Sequence, residues 1–145
     1  MICLDELIRW LLNYAFDKGI NYIITDQLNE DIPSCAIPNK STIIINSKYG
    51  KPTELPFTIA HEIGHVLNGE ADVLYFSGFN SHSKIEMRAN RRAVKLLLEY
   101  CNCHDLSLEP AKFAETFGIP SSFEDMVKEE SARYYLGKDW FLWRK

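Results

Sequence analysis

Residues 58–65 read TIAHEIGH. Two histidines four apart, with a glutamate after the first, reach one common point only if the segment is helical. At 3.6 residues per turn, positions i and i+4 share a face about one turn apart. The helix has to keep His61 and His65 on one side while Ile59, Ile63, Val66 and Leu67 pack in a core. Gly64 carries no side chain, so a neighbouring element can approach closely there.

Two imidazoles one turn apart suit a single metal ion, and Glu62, one position round, can contact a water on that ion without binding it. A zinc ion of this kind has three protein ligands and one open position. The three-histidine continuation H-x-x-G-x-x-H is excluded, because VLNGEA follows His65 and holds no histidine. The next helical pattern, over residues 84–100, supplies a better ligand. Arg88, Arg92, Lys95 and Glu99 form its polar face, and Asn90, Ala93 and Leu97 form the core stripe opposite. Extended backward, that stripe reaches Glu86. A core-facing carboxylate is costly unless it is paired or metal-bound. Glu86 is therefore the expected third ligand, and Asn90, one turn on, is placed to hydrogen-bond to a ligand. The blander alternative leaves Glu86 hydrated near the helix start, favoured by the helix dipole. Two imidazoles and a carboxylate suit zinc, with manganese the alternative.

The rest of the pattern frames this helix. Residues 2–18 have helical periodicity (Leu4, Leu7, Ile8, Leu11, Ala15, Phe16) and stop at Gly19. Three short strands follow at 22–25, 34–37 and 42–46, the last two flanking the turn PNKS. The motif helix is expected to start within 53–56 and run to about 67, with Asn68-Gly69 at its end. Residues 70–83 read as a loop. Further helices are expected at 84–100, 109–117 and 122–136, with the aromatic tail GKDWFLWRK packing back on the body. The expected fold class is α+β: a small three-stranded, mainly antiparallel sheet on a helical body that carries the motif helix. At 145 residues this makes one domain, 1–145, with a catalytic core at 1–105 and a helical subregion at 106–145.

Composition narrows the partners. The formal net charge is -4, which argues against direct nucleic-acid binding, since phosphates call for clustered cations. The one basic cluster, Arg88, Arg91, Arg92 and Lys95, reads as the solvated face of its helix. No run approaches the length of a membrane span, and the N-terminus lacks a signal-peptide pattern. The expected location is the cytoplasm, with Cys3, Cys35, Cys101 and Cys103 as free thiols. The closely spaced sulfurs of CNCH (101–104) suggest a metal site, but no second cysteine pair at structural-zinc spacing accompanies them.

The sequence resembles the ImmA/IrrE-type metallopeptidases of bacteria and mobile elements. IIINSKYGKPTELPFTIAHEIGH is similar to their strand, loop and F-T-x-A-H-E-x-G-H helix. EMRANRRAVKLLL is similar to their E-x-x-A-N-x-x-A-x-x-L-L helix, with Arg92 where the family usually has phenylalanine. Residues 108–137 are similar to the family's closing helices, which can look like a helix-turn-helix. The resemblance implies a gluzincin-like peptidase whose protein substrate is a helix-turn-helix repressor of a phage or mobile element.

The expected chemistry is zinc-dependent peptide hydrolysis. His61, His65 and Glu86 hold the ion, and Glu62 is the general base that takes a proton from water and returns it to the leaving amine. Candidates for stabilising the oxyanion are Tyr75, His82, Arg133, Tyr134 and Tyr135. The alternative function is a metal-stabilised, non-catalytic regulatory or interaction protein, which would have no use for a base at position 62.

Overall fold

The computed structural model describes residues 2–69 and 83–143, with side chains to residue 136. Helix α1 (Leu4–Asp17) buries Leu7, Leu11 and Ala15, spaced one turn apart. Its end is closed at Gly19 (φ 74°). There the N–H of Ile20 donates to the carbonyl of Ala15 and that of Gly19 to Phe16, a pairing that satisfies the last carbonyls and needs a left-handed residue.

The chain then forms β1 (Asn21–Thr25), β2 (Cys35–Ile37) and β3 (Thr42–Asn46). The expected three strands are present, but the sheet is mixed rather than mainly antiparallel. Its order is β1-β3-β2. β3 pairs in parallel with β1 through five residues and antiparallel with β2 through three. The reason is geometric. The segment between β1 and β2 reverses the chain once, and the Pro38–Lys40 turn, closed by Ser41 in the left-handed region, reverses it again. β1 and β3 therefore point the same way. The β-branched run TIIIN takes the central position and turns Ile43 and Ile45 into the core, with Ala36 opposite Ile43.

Helix α2 (Leu55–Asn68) packs against β2, β3 and α1 on one side and α3 (Lys84–Cys103) on the other. Every residue from 56 to 65 is buried. A helix enclosed on all sides is normally apolar all round, so the polar trio in its middle stands out. Pro56 sits in the first turn, where its missing N–H costs no hydrogen bond, and Gly69 ends the helix at φ 73°. Gly64 is the point of closest approach: a Cβ built there would lie 2.8 Å from the carbonyl oxygen of Ala89 on α3. Glycine thus sets the spacing of the two helices.

Helices α4 (Pro110–Phe117) and α5 (Glu124–Trp143) complete the body, with α5 packed on both α3 and α4. Gly118, at φ 72°, ends α4, and a Cβ there would collide with the carbonyl oxygen of Thr53. The turn leading into α2 is thereby held against the C-terminal helices. α5 extends past residue 136 into the aromatic segment instead of stopping there. The side chains of that segment lie outside the described residues, as do residues 70–82 of the loop expected at 70–83. No described helix is long and apolar enough to cross a membrane.

Candidate metal centre

Three buried side chains meet between α2 and α3. Glu86 Oε1 lies 2.8 Å from His61 Nε2 and 3.1 Å from His65 Nε2, and the two Nε2 atoms are 3.1 Å apart. The imidazoles stand nearly perpendicular, at 85°. Glu86 is 1% exposed, so it is not a hydrated helix-start carboxylate. Among the described residues, this is the one cluster of three or more metal-ligating side chains. Cys101 and Cys103 do not form a second: Cys101 is buried, Cys103 exposed, and all four cysteines are free thiols.

Asn90 contacts the cluster. Its Oδ1 lies 2.7 Å from His61 Nδ1, so the ring N–H donates to it and the Nε2 lone pair faces Glu86 and His65. Three ligand-type atoms converging within about 3 Å call for a cation or proton shared among them. A tetrahedral zinc with ligands at about 2.0–2.2 Å separates its donor atoms by roughly 3.3 Å. The observed 2.8–3.1 Å needs a small outward movement to match that. Glu86 Oε2 is also buried with no hydrogen-bond partner among the described residues. The donor set and its spacing fit zinc.

The electrostatics agree. Burial holds the His61 imidazole below its usual pKa, against the hydrogen bond and charge of Glu86, so the neutral, ligating form prevails. Burial pushes the Glu86 carboxyl up, but its close contacts with the His61 and His65 rings outweigh it and bring the group below the ordinary carboxylate range. Glu62 behaves oppositely. It is 2% exposed, and burial first, then the charge of Glu86, push its carboxyl well above the ordinary range. Its Oε1 has no hydrogen-bond partner among the described residues. Cys35 on β2 senses that charge, since burial and then Glu62 raise its thiol pKa.

Sequence reasoning missed two supports. Ser83 caps α3, its hydroxyl oxygen accepting from the N–H of Glu86 at 3.2 Å. The signal was present in S-K-I-E, a serine three residues before a glutamate at a helix start. Arg92, at the usual phenylalanine position, donates from Nε to Asn68 Oδ1 at 3.2 Å and so ties α3 to the end of α2. Tyr75 and His82 lie outside the described residues. Arg133 instead pairs with Glu130 at 2.9 Å.

A search of the curated proteins and of the solved structures finds no match to this chain. The family model described as the IrrE N-terminal-like domain, of the M78 peptidases, matches residues 16–135. That span contains both motif helices, the sheet, and the His61–Glu62–x–x–His65…Glu86 arrangement. The chain belongs to the IrrE N-terminal-like family and is a zinc metallopeptidase of the H-E-x-x-H…E type.

Proposed function

We propose that this peptidase cleaves a helix-turn-helix DNA-binding repressor encoded near it on a phage or mobile element, and that it works in the cytoplasm. The resemblance of its two motif blocks supports that substrate class. The acidic balance of the chain, -4 overall, supports a protein substrate over direct binding to DNA.

His61, His65 and Glu86 are the metal ligands in this reading, Asn90 is the residue that positions His61, and Glu62 is the general base. Zinc held by the three ligands would polarise the scissile carbonyl and acidify a water. Glu62 accepts the proton of the attacking water and delivers it to the leaving amine. Its raised pKa suits the second half of that task, and the positive charge of a bound ion acts in the opposite sense, favouring the carboxylate that starts it. Closure of the site by α2, α3 and the sheet keeps bulk water away and strengthens each electrostatic contact.

The observation that carries the catalytic reading is the Glu62 carboxyl, buried beside the ligands with Oε1 lacking a hydrogen-bond partner among the described residues. A site serving only to stabilise the fold gains nothing from it, because an unpaired buried carboxyl is destabilising. The test is co-expression with the neighbouring repressor. Wild type should deplete intact repressor, whereas Glu62→Gln should bind zinc and leave the repressor whole. Intact repressor with both proteins would remove the substrate assignment.

A further inference from the structure

The basic cluster on α3 is not simply a solvated helix face. α5 crosses beside it, and the two helices enclose an open groove of about 280 Å³ lined by Arg88, Arg91, Arg92, Lys95 and Arg133, with Asn68 at its α2 end. Among the described residues, one carboxylate, Glu130, stands among these cations. It is 11% exposed and holds Arg91 at 2.8 Å and Arg133 at 2.9 Å. Both guanidiniums are thereby fixed beside the groove by one shared negative charge. Glu129 adds a longer contact to Arg91 at 3.4 Å.

Arg88, Arg92 and Lys95 have no carboxylate within ion-pair distance among the described residues. Arg92 is held by the neutral oxygen of Asn68. Glu99, one turn beyond Lys95, lines an adjacent groove that Arg92 and Lys95 share with it, beyond ion-pair distance of either. The groove is therefore a strongly positive surface on a chain of net charge -4. Clustered like charges without counter-ions destabilise a fold through self-repulsion, and nothing in the packing of α3 requires cations at the exposed positions 88 and 95.

We propose that this groove docks an acidic segment of the protein substrate outside the catalytic centre. The assignment deepens the reading of the chain as a protein-cleaving peptidase and rests on it. Asn68 links the two places: it lies three residues beyond the ligand His65 on the same helix, about 4.5 Å along its axis. A segment held against Arg92 and Arg88 would stand next to the end of the metal-binding helix. Short carboxylate side chains match the guanidinium forks of Arg88, Arg91 and Arg133.

The test uses the full chain carrying Glu62→Gln and fluorescein-labelled octaglutamate, read by anisotropy at 50 mM salt. A single-stranded DNA octamer and octalysine are the parallel probes. Octaglutamate should bind at least tenfold more tightly than the other two and weaken at least tenfold at 300 mM salt. The double substitution Arg88→Glu with Lys95→Glu should weaken it at least tenfold, with zinc content and circular dichroism unchanged. Should that variant fold poorly, Arg88→Gln with Lys95→Gln should still weaken binding at least threefold. Absent binding, binding that ignores both double variants, or preference for the DNA octamer would overturn the proposal. Binding does not depend on turnover, so this outcome is separate from repressor cleavage. A groove that binds octaglutamate beside a repressor that stays intact rejects the repressor alone.

Discussion

Asn90 Oδ1 accepts a hydrogen bond from His61 Nδ1 at 2.7 Å, 29 residues away in sequence, across the interface of the two helices that meet at the metal centre. α3 thus contributes both Glu86 and the group that contacts the His61 ring on α2. Asn90→Ala should leave the three ligands in place and lower zinc affinity about 10–100-fold. Competition with a chromophoric chelator measures this, and activity at saturating zinc should recover most of the loss. An unchanged affinity would mean that Asn90 does not position His61.

Glu62→Gln keeps the shape of the side chain and removes the carboxylate proposed as the base. Cleavage should fall about 10²–10⁴-fold with zinc stoichiometry unchanged. Stability should respond in a specific direction. The carboxyl pKa is raised in the folded, metal-free protein, so on raising pH the unfolded chain loses this proton first and stability falls. The glutamine variant lacks that loss. Metal-free wild type and variant should melt together near pH 4 and separate by pH 7, the variant being the more stable.

Gly64 fixes the distance between α2 and α3. Adding a methyl group there places it 2.8 Å from the Ala89 carbonyl oxygen, a backbone atom that moves only if α3 moves. Gly64→Ala should therefore cost about 1–3 kcal/mol by overpacking. It should also weaken zinc binding, because the displaced helix carries Glu86. Denaturant unfolding and the chelator competition read the two effects separately.

Cys101 is buried in the hydrophobic core, and burial pushes its thiol up to about 11. A thiol that holds its proton more tightly in the native state loses stability as pH rises, because the unfolded chain ionises first. The loss begins near the ordinary thiol range and is complete above about 11. Wild type should lose more melting temperature between pH 8 and 10 than Cys101→Ala does. A thiol reagent at pH 8 should label the exposed Cys3 and Cys103 quickly, half-buried Cys35 more slowly, and Cys101 only on unfolding.

The fold and the centre were unevenly legible in the sequence. His61 and His65 announce themselves because metal chemistry and helix periodicity demand the same spacing. Glu86 is legible because a carboxylate on a core stripe has few physical excuses. TIIIN declares a strand through its β-branched run, yet nothing in it says that β1 lies parallel to it. Strand direction depends on how many times the connecting loops reverse, and neither loop carries a two-residue hairpin signature. The end of α5 lies beyond the expected 136 because a glycine inside a helix, such as Gly137, costs only about 1 kcal/mol. The Arg91–Glu130 pair spans 39 residues and leaves no local trace, so the groove between α3 and α5 could not be read in advance.

The central claim is that His61, His65 and Glu86 hold one zinc ion together. Its most direct test is elemental analysis of purified protein combined with zinc-edge X-ray absorption, on wild type and on Glu86→Ala. The account predicts one zinc per wild-type chain, bound by two imidazole nitrogens and a carboxylate oxygen with no sulfur, and its loss or marked weakening in the variant. A sulfur in the ligand sphere, or full zinc retention by Glu86→Ala with unchanged spectra, would contradict it.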